Sequence, residues 1–164
     1  AIVGSGGSRW AINKKIVNES LFNTPKDSIF SRKNYVEARE NIGRERIGGA
    51  ILSVDLDLTH PLAFGYRDSS IPVYKNNNVF INKTKDQYSS VGIYSKKPHI
   101  DGYISKKNMK YNFKNTASLI VSKLGSGRAI IFADNPNFRG SWYGTNRLFL
   151  NGIFLGNNIS IPTN

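Results

Sequence analysis

The densest cluster of reactive side-chain types is Asp134-Asn135-Pro136-Asn137-Phe138-Arg139, with Trp142 close behind. A carboxylate, two amides and a guanidinium lie within six residues. Such a set has two uses. An Arg fork beside aromatic rings suits recognition of a carboxylate or a sugar. Alternatively, Asx-type turns through Asp134, Asn135 and Asn137 stiffen the loop. Arg139 then pairs with Asp134, and Trp142 and Tyr143 pack over the pair to anchor the segment that follows. The loop holds no Cys, His or Glu, so it lacks both a thiol nucleophile and an imidazole base.

The remaining candidates are sparser. Asp55 and Asp57 stand two apart, so on a strand they share a face. Paired carboxylates do acid–base work or hold a hard cation; paired to Lys or Arg they merely finish a strand. His60 precedes Pro61 and reads as a turn residue. No His–carboxylate spacing typical of a metal site is present, so no metal is expected in this chain. Gly4-Ser5-Gly6-Gly7-Ser8 joins an apolar start to a helical pattern. It fits neither a dinucleotide fingerprint nor a phosphate loop. Its backbone N–H groups could cradle an anion, and close strand-to-helix packing explains the glycines equally well. A serine nucleophile at Ser5 or Ser8 lacks a visible His–Asp pair.

Elements must position these groups. Ile2-Val3, the glycine turn and a helix over 9–17 form a strand–turn–helix unit. A polar excursion over 18–31 follows, then a charged helix or irregular arm over 32–46 whose thin apolar face orders best against a partner. Strands are expected over 48–56, 71–74, 79–81 and 89–94, with a strand edge over 99–105 that runs into a helix start. Ser105 is placed to cap a helix over 106–113. Segments 118–124 and 128–133 flank Gly125-Ser126-Gly127 as a hairpin. A helix over 140–155, apolar nearly all round, is expected to be buried.

The chain has 164 residues, enough for one core. Residues 1–156 read as a single α/β domain with a β-rich middle, and 157–164 as a tail. A hydrophobic content of 39% argues against disorder. No apolar run approaches the roughly 18 residues of a spanning helix. The opening Ala1-Ile2-Val3 reads as a strand end, hence as a fragment, and any signal peptide would lie outside it. With no Cys, disulfides and Cys-ligated metals are excluded. Net charge is +12. Between Ser69 and Ala133 eleven basic residues face only Asp86 and Asp101, and ten of the eleven are Lys. Lys75 to Lys114 could thus bind an anionic polymer, glycan or nucleic acid. Specific phosphate readout favours Arg, so a solvated basic surface explains the segment as well and nucleic acid is disfavoured.

Three stretches resemble one family. They are Leu124 to Phe154, Asp55 to Tyr66 (Asp-Leu-Asp-Leu-Thr-His-Pro-Leu-Ala-Phe-Gly-Tyr), and Ile2 to Ala11. All three look like the C-terminal region of large secreted bacterial zinc carboxypeptidase-like proteins, where a class I glutamine amidotransferase-like domain follows the peptidase. The resemblance implies a flavodoxin-like, three-layer α/β core lacking its first strands. It implies secretion or a periplasmic location. It also implies an upstream peptidase domain as partner, with a homo-oligomer a further possibility. Zinc would belong only to that upstream domain, so this chain would carry no cofactor. In active amidotransferases the strand–turn–helix elbow carries a Cys, and a later His-Pro-Glu follows a strand. Here Gly4-Ser5-Gly6 and Asp134-Asn135-Pro136-Asn137 stand in those places. A non-catalytic accessory domain is the expected result, working in packing, oligomerisation or substrate recruitment. A basic binding module and a hydrolase with a non-standard site drawn from Asp55, Asp57, His60 and Asp134 remain alternatives.

Overall fold

A computed structural model describes residues 2–25, 32 and 34–160. It is mixed α/β: one curled sheet with a few helices. The strands are β1 (Ile2–Val3), β2 (Ala50–Leu56), β3 (Ser70–Lys75), β4 (Ile81–Asn82), β5 (Ser90–Gly102), β6 (Thr116–Leu124) and β7 (Gly127–Phe132). The sheet order is β1-β7-β6-β5-β2-β3, with β4 also on β6. Among the described residues only β1 and β7 run parallel, and every other pair is antiparallel. The expected β-rich middle is therefore present, and the sheet as a whole is mostly antiparallel.

Burial follows strand position. On β2, Ala50, Leu52, Val54 and Leu56 alternate into one core. On β7 both faces are buried: Ile130 and Phe132 join that core, while Ala129 and Ile131 join a second. Central strands covered on both sides read as near-continuous apolar runs, which is why segments 118–124 and 128–133 stand out in the sequence.

Helix α1 (Ser5–Asn13) covers the second core with Ala11 and Ile12. The glycine segment is not a separate turn. Gly4 is extended, and Ser8 N donates to Gly4 O at 2.7 Å, closing the first helical turn. The helix stops at Asn13 rather than 17, because Lys15 turns left-handed at φ 55°. Ile16 N to Ala11 O and Lys15 N to Ile12 O then close a Schellman-type end. Close packing does not require Gly4 or Gly6, since a Cβ built on either meets nothing within 4 Å.

A 3-10 turn (Tyr35–Glu37) and helix α2 (Ala38–Glu45) fill the expected charged arm. Its thin apolar face, Val36 and Ile42, is exposed. Residues 26–31 of the preceding excursion lie outside the described residues. Helix α3 (Lys106–Tyr111) begins where expected, with Ser105 Oγ accepting from Asn108 N at 3.2 Å.

The last helix, α4 (Tyr143–Leu155), starts three residues later than expected. It buries Thr145, Leu148 and Gly152, against the first core. The expectation of burial all round fails: Tyr143, Leu150, Ile153 and Phe154 are exposed. One stripe suffices to hold a helix on a sheet edge, so apolar residues elsewhere on it are left facing outward. Among the described residues no helix is long and apolar enough to cross a membrane.

Candidate functional site

The sheet curls until its far strand meets the loop after β7: Asn135 N donates to Tyr74 O on β3 at 3.2 Å. This closure brings Lys75, the last residue of β3, to Asp134. Both are sealed from solvent, Lys75 at 0% and Asp134 at 2% exposure. Lys75 Nζ stands 3.0 Å from Asp134 Oδ1. The Tyr94 hydroxyl donates to the same oxygen at 2.6 Å, and Ser118 Oγ donates to Oδ2 at 2.5 Å. The ammonium also donates to Val79 O at 2.7 Å and lies 4.8 Å from the centre of the Phe80 ring. A cation–π contact of this kind gains strength when desolvated.

These contacts decide what the centre can do. Burial, and then the charge of Asp134, push the Tyr94 hydroxyl well above its ordinary value of 10.0, so it remains a proton donor. Burial pulls the Lys75 ammonium below 10.5, while Asp134 pushes back. The carboxylate spends both oxygens on three side-chain donors and has no open side. It is built to hold the closure of the sheet, not to take a proton from a substrate.

This geometry corrects the expected loop lock. Asp134 pairs with Lys75, not with Arg139. Arg139 is exposed, adopts a left-handed backbone at φ 53°, and lays its guanidinium 5.2 Å from the Phe138 ring centre. Phe138 in turn stacks on Tyr74 at 3.9 Å. Trp142 leans on the same tyrosine at 6.1 Å, and its indole Nε1 is buried without a partner. Tyr143 is 77% exposed and covers nothing. The Asx turn does form: Asn135 Oδ1 accepts from Asn137 N at 3.3 Å, with Asn137 exposed.

The glycine elbow lies at the same end of the sheet, because β1 runs parallel beside β7. Ser8 Oγ ties the two by donating to Phe132 O at 2.8 Å. Ser5 borders a hollow of about 360 Å³ together with Arg9, Arg46 and Asn77. No imidazole or carboxylate lines it. Gly4, Ser5 and Asp134 are thus brought to one end of the sheet, without a nucleophile–base pair among them.

Asp55, Asp57 and His60 serve local structure. Asp55 is exposed on β2 and Asp57 lies just beyond it. Asp57 Oδ1 accepts from Thr59 N at 2.9 Å and Thr59 Oγ1 at 2.6 Å. His60 Nδ1 accepts from Leu62 N at 3.1 Å and so caps the 3-10 turn Pro61–Ala63. Burial holds His60 below its ordinary 6.5, against the pull of Asp57. None of the three bonds Asp134. Among the described residues no group of three His, Cys, Asp or Glu could hold a metal ion.

Lys75 is the residue that sequence reasoning misplaced. It counted as one more lysine of a basic surface. The signal was available: Ile71, Val73 and Lys75 alternate on one strand, and the first two are core residues. A period of two points the lysine inward too.

Comparison of the chain with protein-family models, curated proteins and solved structures finds no match.

Proposed function

We propose that the chain is a non-catalytic accessory domain of a secreted or periplasmic zinc carboxypeptidase-like protein, built on the flavodoxin-like core of class I glutamine amidotransferases. One observation carries this reading: the loop after β7 sits beside the β1–α1 elbow, as a catalytic pair would, yet Asp134 is locked by Lys75, Tyr94 and Ser118. What favours such a core is the short parallel β1–β7 pair with α1 and α4 on opposite cores, although the other strand pairs are antiparallel. A scaffold that spends its polar groups on one another does structural work. The exposed Tyr143, Leu150, Ile153 and Phe154 of α4 then provide the packing surface for the peptidase domain or for a second copy.

The purified chain is expected to release no ammonia from L-glutamine above a buffer blank. It is also expected to associate with the zinc peptidase domain of its parent, and Ile153→Ser with Phe154→Ser is expected to abolish that association in sedimentation. Ammonia release abolished by Ser5→Ala would overturn the non-catalytic reading. Association untouched by the α4 pair would overturn the assigned surface.

A further inference from the structure

A separate cavity lies between β5 and α3, and its base includes Tyr94, whose hydroxyl reaches Asp134. It is made by an irregularity in one strand. Val54 of β2 faces Tyr94 of β5, but Leu52 faces His99. A two-residue step on β2 is thus matched by a five-residue step on β5. The surplus, Ser95 to Pro98, has no register partner on β2; Lys96 and Lys97 are exposed there while Pro98 stays buried, and together they form one wall. Bulges of this sort re-aim side chains and recur beside binding sites.

The wall faces α3 and the residues after it across a cavity of about 630 Å³. Five lysines border it: Lys83, Lys96, Lys97, Lys110 and Lys114. No acidic side chain lines it. Among the described residues none of the five has a carboxylate within ion-pair distance. The floor is apolar, with Tyr94 and Phe113 packed edge to face at 5.0 Å beside Met109. Five ammonium groups around one hollow repel one another, and the offsets within the protein are small: Lys110 lies 4.9 Å from the Tyr111 ring centre, and Asp55 borders the adjoining hollow without an ion pair to Lys83 or Lys96. A multiply charged anion would offset them.

We propose that this cavity binds a small organic phosphate whose apolar body rests on the Tyr94–Phe113–Met109 floor. Its volume falls in the range of about 300–1,000 Å³ usual for small-molecule sites. Free nucleotides and lipid headgroups share the required chemistry. A polymer fits less well. Single-stranded nucleic acid binds by stacking bases on open aromatic faces. Tyr94 and Phe113 are 5% and 3% exposed, so with the half-buried Met109 they give a small apolar body an edge to rest on but no open ring face for a stack of bases. This inference does not rest on the accessory-domain reading: the cavity shares Tyr94 with the Asp134 centre, but its lysines belong to none of that centre, α4 or the elbow.

The test uses the fluorescent nucleotide trinitrophenyl-ATP, titrated into the whole chain at low salt. Saturable binding is expected, at least tenfold weaker in Lys96→Gln/Lys110→Gln/Lys114→Gln. Lys123→Gln is the control: it lies near the opposite end of β6, about 23 Å from Thr116 at the strand's rise per residue. It is expected to leave binding unchanged. Displacement by ATP or by soluble dihexanoyl phosphatidylinositol bisphosphate supports the proposal and separates a nucleotide from a lipid source. Failure of both to displace the probe overturns it. So does equal binding by the triple variant when circular dichroism shows it folded. Pyrophosphate as good as ATP removes the apolar floor from the proposal. A twelve-nucleotide oligothymidylate displacing the probe at a tenfold lower concentration than ATP assigns the surface to a polymer instead.

Discussion

Two sets of lysines from one segment of sequence meet opposite fates. Lys75 is fully buried and ends on a carboxylate, a carbonyl, a phenol and two ring faces. Lys83, Lys96, Lys97, Lys110 and Lys114 border an open cavity, with no carboxylate among the described residues within ion-pair distance. The side chain is the same; the difference lies in what the backbone brings to it. A regular strand carried Lys75 inward in step with Ile71 and Val73, and the core had to supply a counter-charge. A bulged strand threw Lys96 and Lys97 outward, where water carries the cost. Charge that the protein neutralises itself holds the fold together. Charge it leaves unneutralised is available to something else.

The buried set gives the largest expected effect. Asp134→Asn keeps the shape of the side chain but strips the charge that faces Lys75. Breaking a buried pair from one side costs about 3–5 kcal/mol. For a domain of this size that is a fall in melting temperature of roughly 6–20 °C. The double change Lys75→Met/Asp134→Leu removes both charges, and replacement of a buried pair by apolar groups is often neutral. Thermal denaturation is expected to place the double variant far closer to the parent than either single variant. If Asp134→Asn melts within about 2 °C of the parent, the pair does not hold the curl closed.

Local pattern carried much of this fold, and pairing carried the rest. The hairpin of β6 and β7 is legible because both strands are apolar runs around Gly125-Ser126-Gly127. The Ser105 cap is legible because a hydroxyl precedes a helix-forming run. The continuity of β5 was not, since Lys96-Lys97-Pro98 breaks the pattern and makes 89–94 and the edge from His99 read as separate pieces. At the candidate site, Asp134 stands out by type. Its partners do not, because Lys75, Tyr94 and Ser118 lie 59, 40 and 16 residues away in sequence. Only the curl of the sheet joins them. Arg139 was the nearest cation in sequence, and nearness in sequence misassigned the pair.

Arg139 itself gives a second, smaller effect. Arg139 makes no bond to Asp134 and sits at φ 53°, a region that costs a side-chain-bearing residue roughly 1–2 kcal/mol. Arg139→Gly relieves that strain and loses only the contact with Phe138. We expect a gain of up to about 1 kcal/mol in urea unfolding. A loss of similar size would show that the guanidinium belongs with the buried set after all.

His60 lies between the two sets, half-buried and uncharged. Its pKa is held below 6.5 in the folded chain, chiefly by burial. The unfolded chain therefore takes up the proton first as pH falls, and stability is lost between 6.5 and the lower folded value. The loss is direct as well as electrostatic, since a protonated Nδ1 can no longer accept from Leu62 N. His60→Asn keeps an acceptor for the cap without the titration. It is expected to flatten the unfolding midpoint over that window, measured against the parent at matched salt. An unchanged pH profile would remove His60 as its source.

The open lysines give the smallest effect. Like charges on a surface cost only a few tenths of a kcal/mol per pair. Added salt removes most of it once the Debye length falls below their separation, to about 3 Å at 1 M. The parent chain is therefore expected to gain slightly in urea midpoint between 10 mM and 1 M salt, whereas Lys96→Gln/Lys97→Gln/Lys110→Gln/Lys114→Gln starts higher and gains less. The Lys75–Asp134 pair, shielded from ions, contributes nothing to this slope. If the quadruple variant keeps the full salt response, the repulsion lies elsewhere on a chain of net charge +12. If it loses stability at low salt, the cavity lysines are already compensated within the fold, and the contrast with Lys75 disappears.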